Sequence, residues 1–200
     1  MGKIKKIAIT GASGVGKTTL AQFISKEYDL PFISASARDA WPQFGFENHQ
    51  QALTECLKDP KLGLNYQQCI LLNRHMALSK ASSFVTDRSP IDNYAYFMLQ
   101  QGYESEDNNN TFRDLCRVDY KQLDAVIFIQ VNNKMTIEDN GRRLVNLSYQ
   151  RMVDSVIRMV LEEEFESLKP TLYLNTWDFS ERVSEVKLFI EELIDMGIIK

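Results

Sequence analysis

Residues 11–18 read GASGVGKT, a complete G-x-x-x-x-G-K-T, directly after the apolar run Ile7-Ala8-Ile9. Glycine at three of these eight positions lets the backbone turn tightly, so that successive N–H groups face phosphate oxygens with no side chain in the way. On this pattern Gly11, Ser13, Gly14, Val15, Gly16, Lys17, Thr18 and Thr19 would hold the phosphates of a nucleotide. Lys17 would sit on the β- and γ-phosphates and Thr18 on Mg²⁺. Leu20, Phe23 and Ile24 repeat at helical spacing behind the loop, which puts the positive end of a helix at the bound anion. A turn that merely joined a strand to a helix would not require Gly-Lys-Thr at its end.

A second set of chemically capable residues, Asp87-Arg88-Ser89-Pro90-Ile91-Asp92, follows another apolar run. A carboxylate at the end of a neighbouring strand can hold a water on Mg²⁺ or take a proton from an attacking hydroxyl, and an adjacent arginine can brace the transferring phosphate or the acceptor. Asp92 fits the acceptor side, or equally the N-cap of a helix starting near Asn93. A third set, Glu138-Asp139-Asn140-Gly141-Arg142-Arg143, precedes a helix striped by Tyr149, Val153, Val156, Ile157 and Val160. Arginines that close over a transferring phosphate contribute on the order of 10³–10⁵ in rate. Arg142 and Arg143 are placed for that, within a lid at 132–148; the alternative is surface pairing with Glu138, Asp139 or Asp154.

The elements that must position these residues alternate in the α/β manner. Apolar runs at 7–9, 31–34, 83–87, 125–129 and 171–174 read as strands, and helical spacing appears at 65–80 and after each phosphate-site segment. This predicts a three-layer P-loop sandwich: about five parallel strands with helices on both faces and a small helical lid. Ligands in such sheets gather at the carboxyl ends of the strands. Residues 104–110 are polar and read as a solvated loop. Asp178 and Glu181 read as a capping box for a last helix whose buried face carries Val183, Val186, Ile190 and Leu193.

With 200 residues, 44% of them hydrophobic, the chain is long enough for one substantial core, and a single domain over 1–200 is expected. No apolar run approaches the roughly eighteen residues of a membrane span, and the N-terminus runs straight into the first strand, which predicts a cytoplasmic protein without a membrane partner. Three scattered cysteines, Cys56, Cys69 and Cys116, give neither a disulfide framework nor a zinc site. A net charge of −4 disfavours a protein that lives on nucleic-acid backbone. His49 and His75 stand alone and read as surface or packed residues.

Taken together, GASGVGKTT, TDRSPIDNYAY and EDNGRR followed by YQRMVD resemble the small P-loop kinases of the nucleoside and nucleotide kinase group, nearest the nicotinamide riboside kinase-like branch. In that branch D-R-x-x-x-D-x-x-A-Y follows the third strand and an acidic-glycine-arginine lid follows the fourth. Asp87, Arg88, Asp92, Ala95 and Tyr96 match the first pattern; Asp139, Gly141 and Arg142 or Arg143 match the second. The resemblance implies ATP and Mg²⁺, the metal on Thr18 and Asp87, and transfer of the γ-phosphate with Lys17, Asp87, Arg88, Arg142 and Arg143 in catalytic roles. It also implies an acceptor side made by Arg38, Asp39, Arg88 and Asp92. One departure lies there: the branch carries an acid shortly before the arginine after strand two, whereas this chain has Ser34-Ala35-Ser36-Ala37-Arg38-Asp39.

The acceptor is framed by chemistry. A phosphate acceptor is an anion that needs cations and no base, whereas a hydroxyl must lose a proton to a carboxylate such as Asp87 or Asp39. The chain supplies both sets, so the partner is a small nucleoside- or nucleotide-like molecule of either kind. Trp41, Phe44 and Phe46 would stack on its base or pack in the core, and Trp177 would cover an adenine or the domain edge. Related phage-type kinases act on a hydroxymethyl pyrimidine such as 5-hydroxymethyluracil within DNA, for which Lys134, Arg142, Arg143, Arg151 and Arg158 would form the basic patch. A nucleotide-binding regulator without turnover is the remaining alternative. A GTPase is excluded because Asn133-Lys134-Met135-Thr136 lacks the aspartate that reads guanine, and an oligomeric motor ATPase because Asp87 is followed by arginine rather than a second acid.

Overall fold

The computed structural model describes residues 6–34, 36–102, 105–134, 146–165 and 169–197. Five parallel strands, β1 (Lys6–Thr10), β2 (Phe32–Ile33), β3 (Phe84–Thr86), β4 (Ala125–Ile129) and β5 (Thr171–Leu174), form one sheet in the order β2-β3-β1-β4-β5. β1 and β4 are apolar without interruption because both faces are covered: Ile7, Ala8, Ile9 and all five residues of β4 are buried completely. The registers Ala8 with Thr86 and Thr10 with Phe128 bring the carboxyl ends of β3, β1 and β4 side by side. β2 lies at the sheet edge and is shorter than the run 31–34, in part because Pro31 has no N–H for the ladder and offers only its carbonyl, to Val85 N.

Among the described residues, seven α-helices connect these strands and an eighth follows β5: α1 (Lys17–Glu27), α2 (Trp41–Phe44), α3 (His49–Lys58), α4 (Pro60–Leu78), α5 (Pro90–Gln101), α6 (Glu106–Tyr120), α7 (Leu147–Met159) and α8 (Phe179–Asp195). A 3₁₀ turn, Ala37–Ala40, precedes α2, and α7 runs on into a π-helical turn, Val160–Glu164. α4 starts earlier than the apolar spacing at 65–80 indicates, because Asp59 caps it by accepting from Lys61 N and Leu62 N, with Pro60 at the first helical position. α5 starts at Pro90 rather than near Asn93. Ser89 is its N-cap, and Asp92 closes the capping box from the third helical position.

The polar segment 104–110, read as a solvated loop, is corrected by the structure: from Glu106 onward it is the first turns of α6. Ser105 caps that helix by accepting from Asn108 N, and Glu106 and Asp107 complement its positive end. The polar residues are its outer turns, while Phe112, Cys116 and Tyr120 are buried. At the C-terminus Asp178 caps α8 as expected and Val186, Ile190 and Leu193 are buried, but Glu181 accepts from the Thr176 hydroxyl instead of completing a box.

Two apolar clusters result. The larger surrounds the sheet; the smaller gathers Trp41, Phe46, Ala52, Cys56, Tyr66 and Ile70 beyond the end of β2. Phe44, Phe46 and Tyr66 pack ring against ring, with centroids 5.3–5.8 Å apart. No helix among the described residues is long and apolar enough to cross a membrane.

Gly11 is where the sheet hands over to the phosphate loop. Its φ is +144°, and a β-carbon there would lie 2.5 Å from the carbonyl oxygen of Ile129 at the end of β4. Gly11→Ala is therefore expected to destabilise the protein by about 1–3 kcal/mol or more, measured by chemical denaturation. An unchanged unfolding midpoint would contradict this close approach.

Candidate active site

The loop 11–16 leaves the carboxyl end of the central strand β1 and opens into α1 at Gly16, whose φ of +93° only glycine adopts readily. α1 has no side-chain cap. The other helices longer than four residues do, through Asn48, Asp59, Ser89, Ser105, Asn146 and Asp178. The first amides of α1 are thus left as donors at the point where the loop ends. The loop's carbonyls, by contrast, are held by side chains. Lys17 Nζ donates to Gly11 O and Ala12 O, both at 2.6 Å. Gln150 Nε2 donates to Ser13 O at 2.6 Å and Arg182 Nη1 to Val15 O at 2.7 Å.

Asp87 ends β3 beside this loop. Thr18 Oγ1 donates to its Oδ2 at 2.6 Å, and Ser34 Oγ to its Oδ1 at 3.3 Å. The hydroxyl and carboxylate read from sequence as a metal pair are thus in contact, from residues 69 apart in sequence. Arg88 lies 4.0 Å from Asp92 Oδ1. Burial alone would lower its pKa, but Asp92, Tyr96 and Asp87 outweigh that, so the pKa rises and the guanidinium stays charged. Asp92 is a structural carboxylate as much as a site residue. Its oxygens accept from Ser89 N at 2.6 Å, Ser89 Oγ at 3.0 Å and Gly11 N at 3.4 Å, which ties the start of α5 to the start of the loop.

Next to the loop lies a cleft of about 710 Å³, counted to its open mouth. Ser13, Arg38, Trp41, His49, Arg88 and Asp92 are among its walls; Asp39, Phe44 and Phe46 are not. Asp39 is instead exposed and closes the capping box of the 3₁₀ turn by accepting from Ser36 N at 3.1 Å. Sequence reasoning missed the deeper wall. There Gln67 Nε2 donates to Gln100 Oε1 at 3.1 Å and Asn93 Nδ2 to Gln67 Oε1 at 3.3 Å. Arg74, 2% exposed, donates through Nη1 to Ser89 O at 2.7 Å and to Asn93 Oδ1. Burial pulls its pKa down to about 10 against the opposing charge of Asp92.

The remaining sequence-read residues fall elsewhere. Glu138, Asp139, Gly141, Arg142 and Arg143 lie outside the described residues, as does most of the lid. Arg151 donates to Asn133 Oδ1 at 3.3 Å, and Arg158 pairs with Glu162 at 3.9 Å. Trp177 is 46% exposed. His75 bonds Asp119 at 2.6 Å, joining α4 to α6.

His49, read as a solitary residue, stands in the cleft wall with its ring against those of Tyr96 and Tyr149. Burial, with Arg88 and Arg38 nearby, pushes its imidazole from 6.5 down to about 4, so it is neutral at pH 7. Between those two values the unfolded chain binds a proton that the folded chain refuses. Stability from this group is therefore complete above 6.5 and lost as pH falls toward 4. His49→Gln should lower the pH sensitivity, so that the stability difference between wild type and variant shifts in the variant's favour from pH 7 to pH 4.5. A constant difference across that range, by chemical denaturation, would contradict the assignment.

Comparison with known proteins bears on the family and the fold. Residues 6–182 match the AAA domain family. No curated protein sequence matches the chain significantly. Among solved structures, the NadR protein in complex with NR superposes with a TM-score of 0.68 at 17% identity, covering 93% of this chain and 52% of NadR. The chain thus spans about half the length of NadR. Deoxyadenosine kinase from M. mycoides, with the products dCMP and dCDP, superposes with a TM-score of 0.65 at 19% identity over 96% of this chain and 99% of the kinase. The same kinase with bound dATP gives 0.62 at 21% identity over 94% and 98%. The chain belongs to the AAA domain family of P-loop proteins, and its fold is that of the P-loop nucleoside kinases.

Proposed function

We propose that residues 1–200 form one kinase domain that transfers the γ-phosphate of ATP, with Mg²⁺, to a nucleoside- or nucleotide-like acceptor held in the cleft. The observation that carries this reading is a shared wall: Ser13 of the phosphate loop lines the same cleft as Arg38 and Arg88. Donor and acceptor sites are then contiguous, as in-line transfer requires.

The residues present fit the nucleotide and its metal. The uncapped start of α1 and the loop amides of Ser13, Gly14, Val15 and Gly16 suit an anion, and Thr18 and Asp87 form the oxygen pair for Mg²⁺ directly or through water. Mg²⁺, when bound, neutralises charge shared between the β- and γ-phosphates. Lys17 would exchange two neutral carbonyls for phosphate oxygens, to which its bonds are roughly twice as strong. Arg142 and Arg143 keep the closing role read from sequence.

The cleft suits a polar heterocycle bearing a sugar or phosphate. Trp41 supplies an aromatic wall, the amides of Gln67, Asn93 and Gln100 offer donors and acceptors to a ring edge, and Arg38 and Arg88 face the loop side. Asp92 lines the cleft but is engaged by three donors; Asp87, which accepts from Thr18 and Ser34, stands beside the loop outside that lining, and it would serve a hydroxyl acceptor only at the loop end of the cleft. Among the described residues nothing favours a strand of DNA: Arg151 and Arg158, two members of the patch that reading needs, are bonded to Asn133 and Glu162.

Two substitutions test the reading. Lys17→Ala should cut transfer of label from γ-labelled ATP roughly 10²-fold or more, and undiminished transfer would sink the assignment. Asp87→Asn separates two roles. Near-complete loss that extra metal does not mend marks a base, partial recovery with raised Mg²⁺ or with Mn²⁺ marks a metal-water ligand, and no effect removes Asp87 from the site.

A further inference from the structure

A phosphate loop that turns its amides toward an anion must find partners for its carbonyls on the other side. Four of them do so through side chains, and the four bonds are not equivalent. Those to Gly11 O and Ala12 O come from Lys17, a group within the loop motif itself. Those to Ser13 O and Val15 O come from Gln150 and Arg182, which are 137 and 167 residues away in sequence.

Both distant side chains are built into place. Gln150 is 3% exposed and lies one helical turn before Asp154, whose Oδ1 accepts from Val131 N at 2.8 Å. One face of α7 therefore grips the loop and the end of β4 together. Arg182, 5% exposed, reaches from the first turns of α8 and also donates through Nε to Thr176 O at 2.9 Å, which fixes the connection after β5 to the loop. A β-carbon on Gly16 would lie 3.0 Å from Arg182 Nη1, so the guanidinium is packed against the loop where α1 begins. Neither residue belongs to the loop motif: Gln150 falls within YQRMVD, where sequence reasoning gave it no role, and Arg182 stands in the last helix, likewise without one.

We propose that Gln150 and Arg182 are positioning residues for the nucleotide, acting through the loop. This rests on the ATP-binding reading above. When Lys17 turns to the phosphates, the carbonyls of Gly11 and Ala12 lose its ammonium. The bonds to Ser13 O and Val15 O stay, because the Gln150 amide is neutral and Arg182 is held through Nε by Thr176 O and through Nη1 by Val15 O, with Nη2 still available to an anion. These two bonds hold the carbonyls outward, and with them the amides inward, during the interval when the loop carries its load. They also couple the loop to α7 on one side and α8 on the other.

The test is calorimetric titration of ATP into wild-type protein, Gln150→Leu, Arg182→Met and Arg182→Lys, beside thermal unfolding of each without ligand. Gln150→Leu and Arg182→Met are each expected to bind ATP about tenfold or more weakly, as befits loss of one buried bond to a loop carbonyl, while each stays fully folded at the titration temperature and its ligand-free unfolding temperature falls by no more than the several degrees that one unpartnered buried carbonyl costs. Arg182→Lys, which keeps a cation able to reach Val15 O, should recover most of the affinity. Wild-type affinity in either folded variant overturns the role of that residue. Loss of affinity that arrives only with a matching fall in ligand-free stability, and that Lys does not mend, overturns positioning in favour of general folding. If Arg182→Met does not fold, Gln150→Leu and Arg182→Lys still decide. Absence of ATP binding by the wild type would overturn the functional reading together with this one.

Discussion

A backbone that presents several N–H groups to one anion must turn its carbonyls away from it, and those carbonyls cannot be buried without partners. Much of this molecule can be understood from that constraint. Gly11 must begin the turn within contact distance of the Ile129 carbonyl, where a side chain has no room. The sheet order then sets what stands beside the loop. With β1 between β3 and β4, Asp87 arrives on one side and the end of β4, bonded to α7, on the other. Gly11 N in turn donates to Asp92, so the first amide of the loop is anchored to the helix that follows β3.

Several of the charges around the cleft hold the fold. Arg74 is buried with Ser89 O and Asn93 as partners, and pins α4 to the turn before α5. Asp92 spends its oxygens on backbone and hydroxyl donors. Buried charges of this kind persist only when paired or hydrogen-bonded, and each of these is. The wall also carries Arg38 and Arg88, the latter beside Asp92, with His49 held neutral by its surroundings. A cleft so biased attracts an anion or a strongly polar ligand beside a loop that already favours negative charge.

Local signals carried the fold far. β4 stands at the residues its apolar run indicates, because a fully buried strand leaves a continuous imprint that needs no knowledge of its neighbours; β5 also matches its run, although only Leu174 of its four residues is buried. The start of α6 was hidden for the opposite reason: seven polar residues in a row look like a loop unless Ser105 is weighed as a cap. At the site, the phosphate loop and the Thr18 and Asp87 pair were legible from motif and strand end. Gln67, Arg74, Gln150 and Arg182 were not, since an amide or guanidinium on a helix shows no period, and its partner is known only once the chain has folded. Asp39, read for the acceptor side, is a carboxylate whose bond is to its own turn.

The account stands or falls on where phosphate goes. The direct measurement is incubation of the protein with γ-labelled ATP, Mg²⁺ and a panel of nucleosides, nucleoside monophosphates, nicotinamide riboside and DNA containing thymine or 5-hydroxymethyluracil. Label on a small molecule is the predicted result and names the acceptor class. Label confined to the modified DNA would show that the cleft has been assigned the wrong partner, and ATP binding with label on no acceptor would contradict transfer itself.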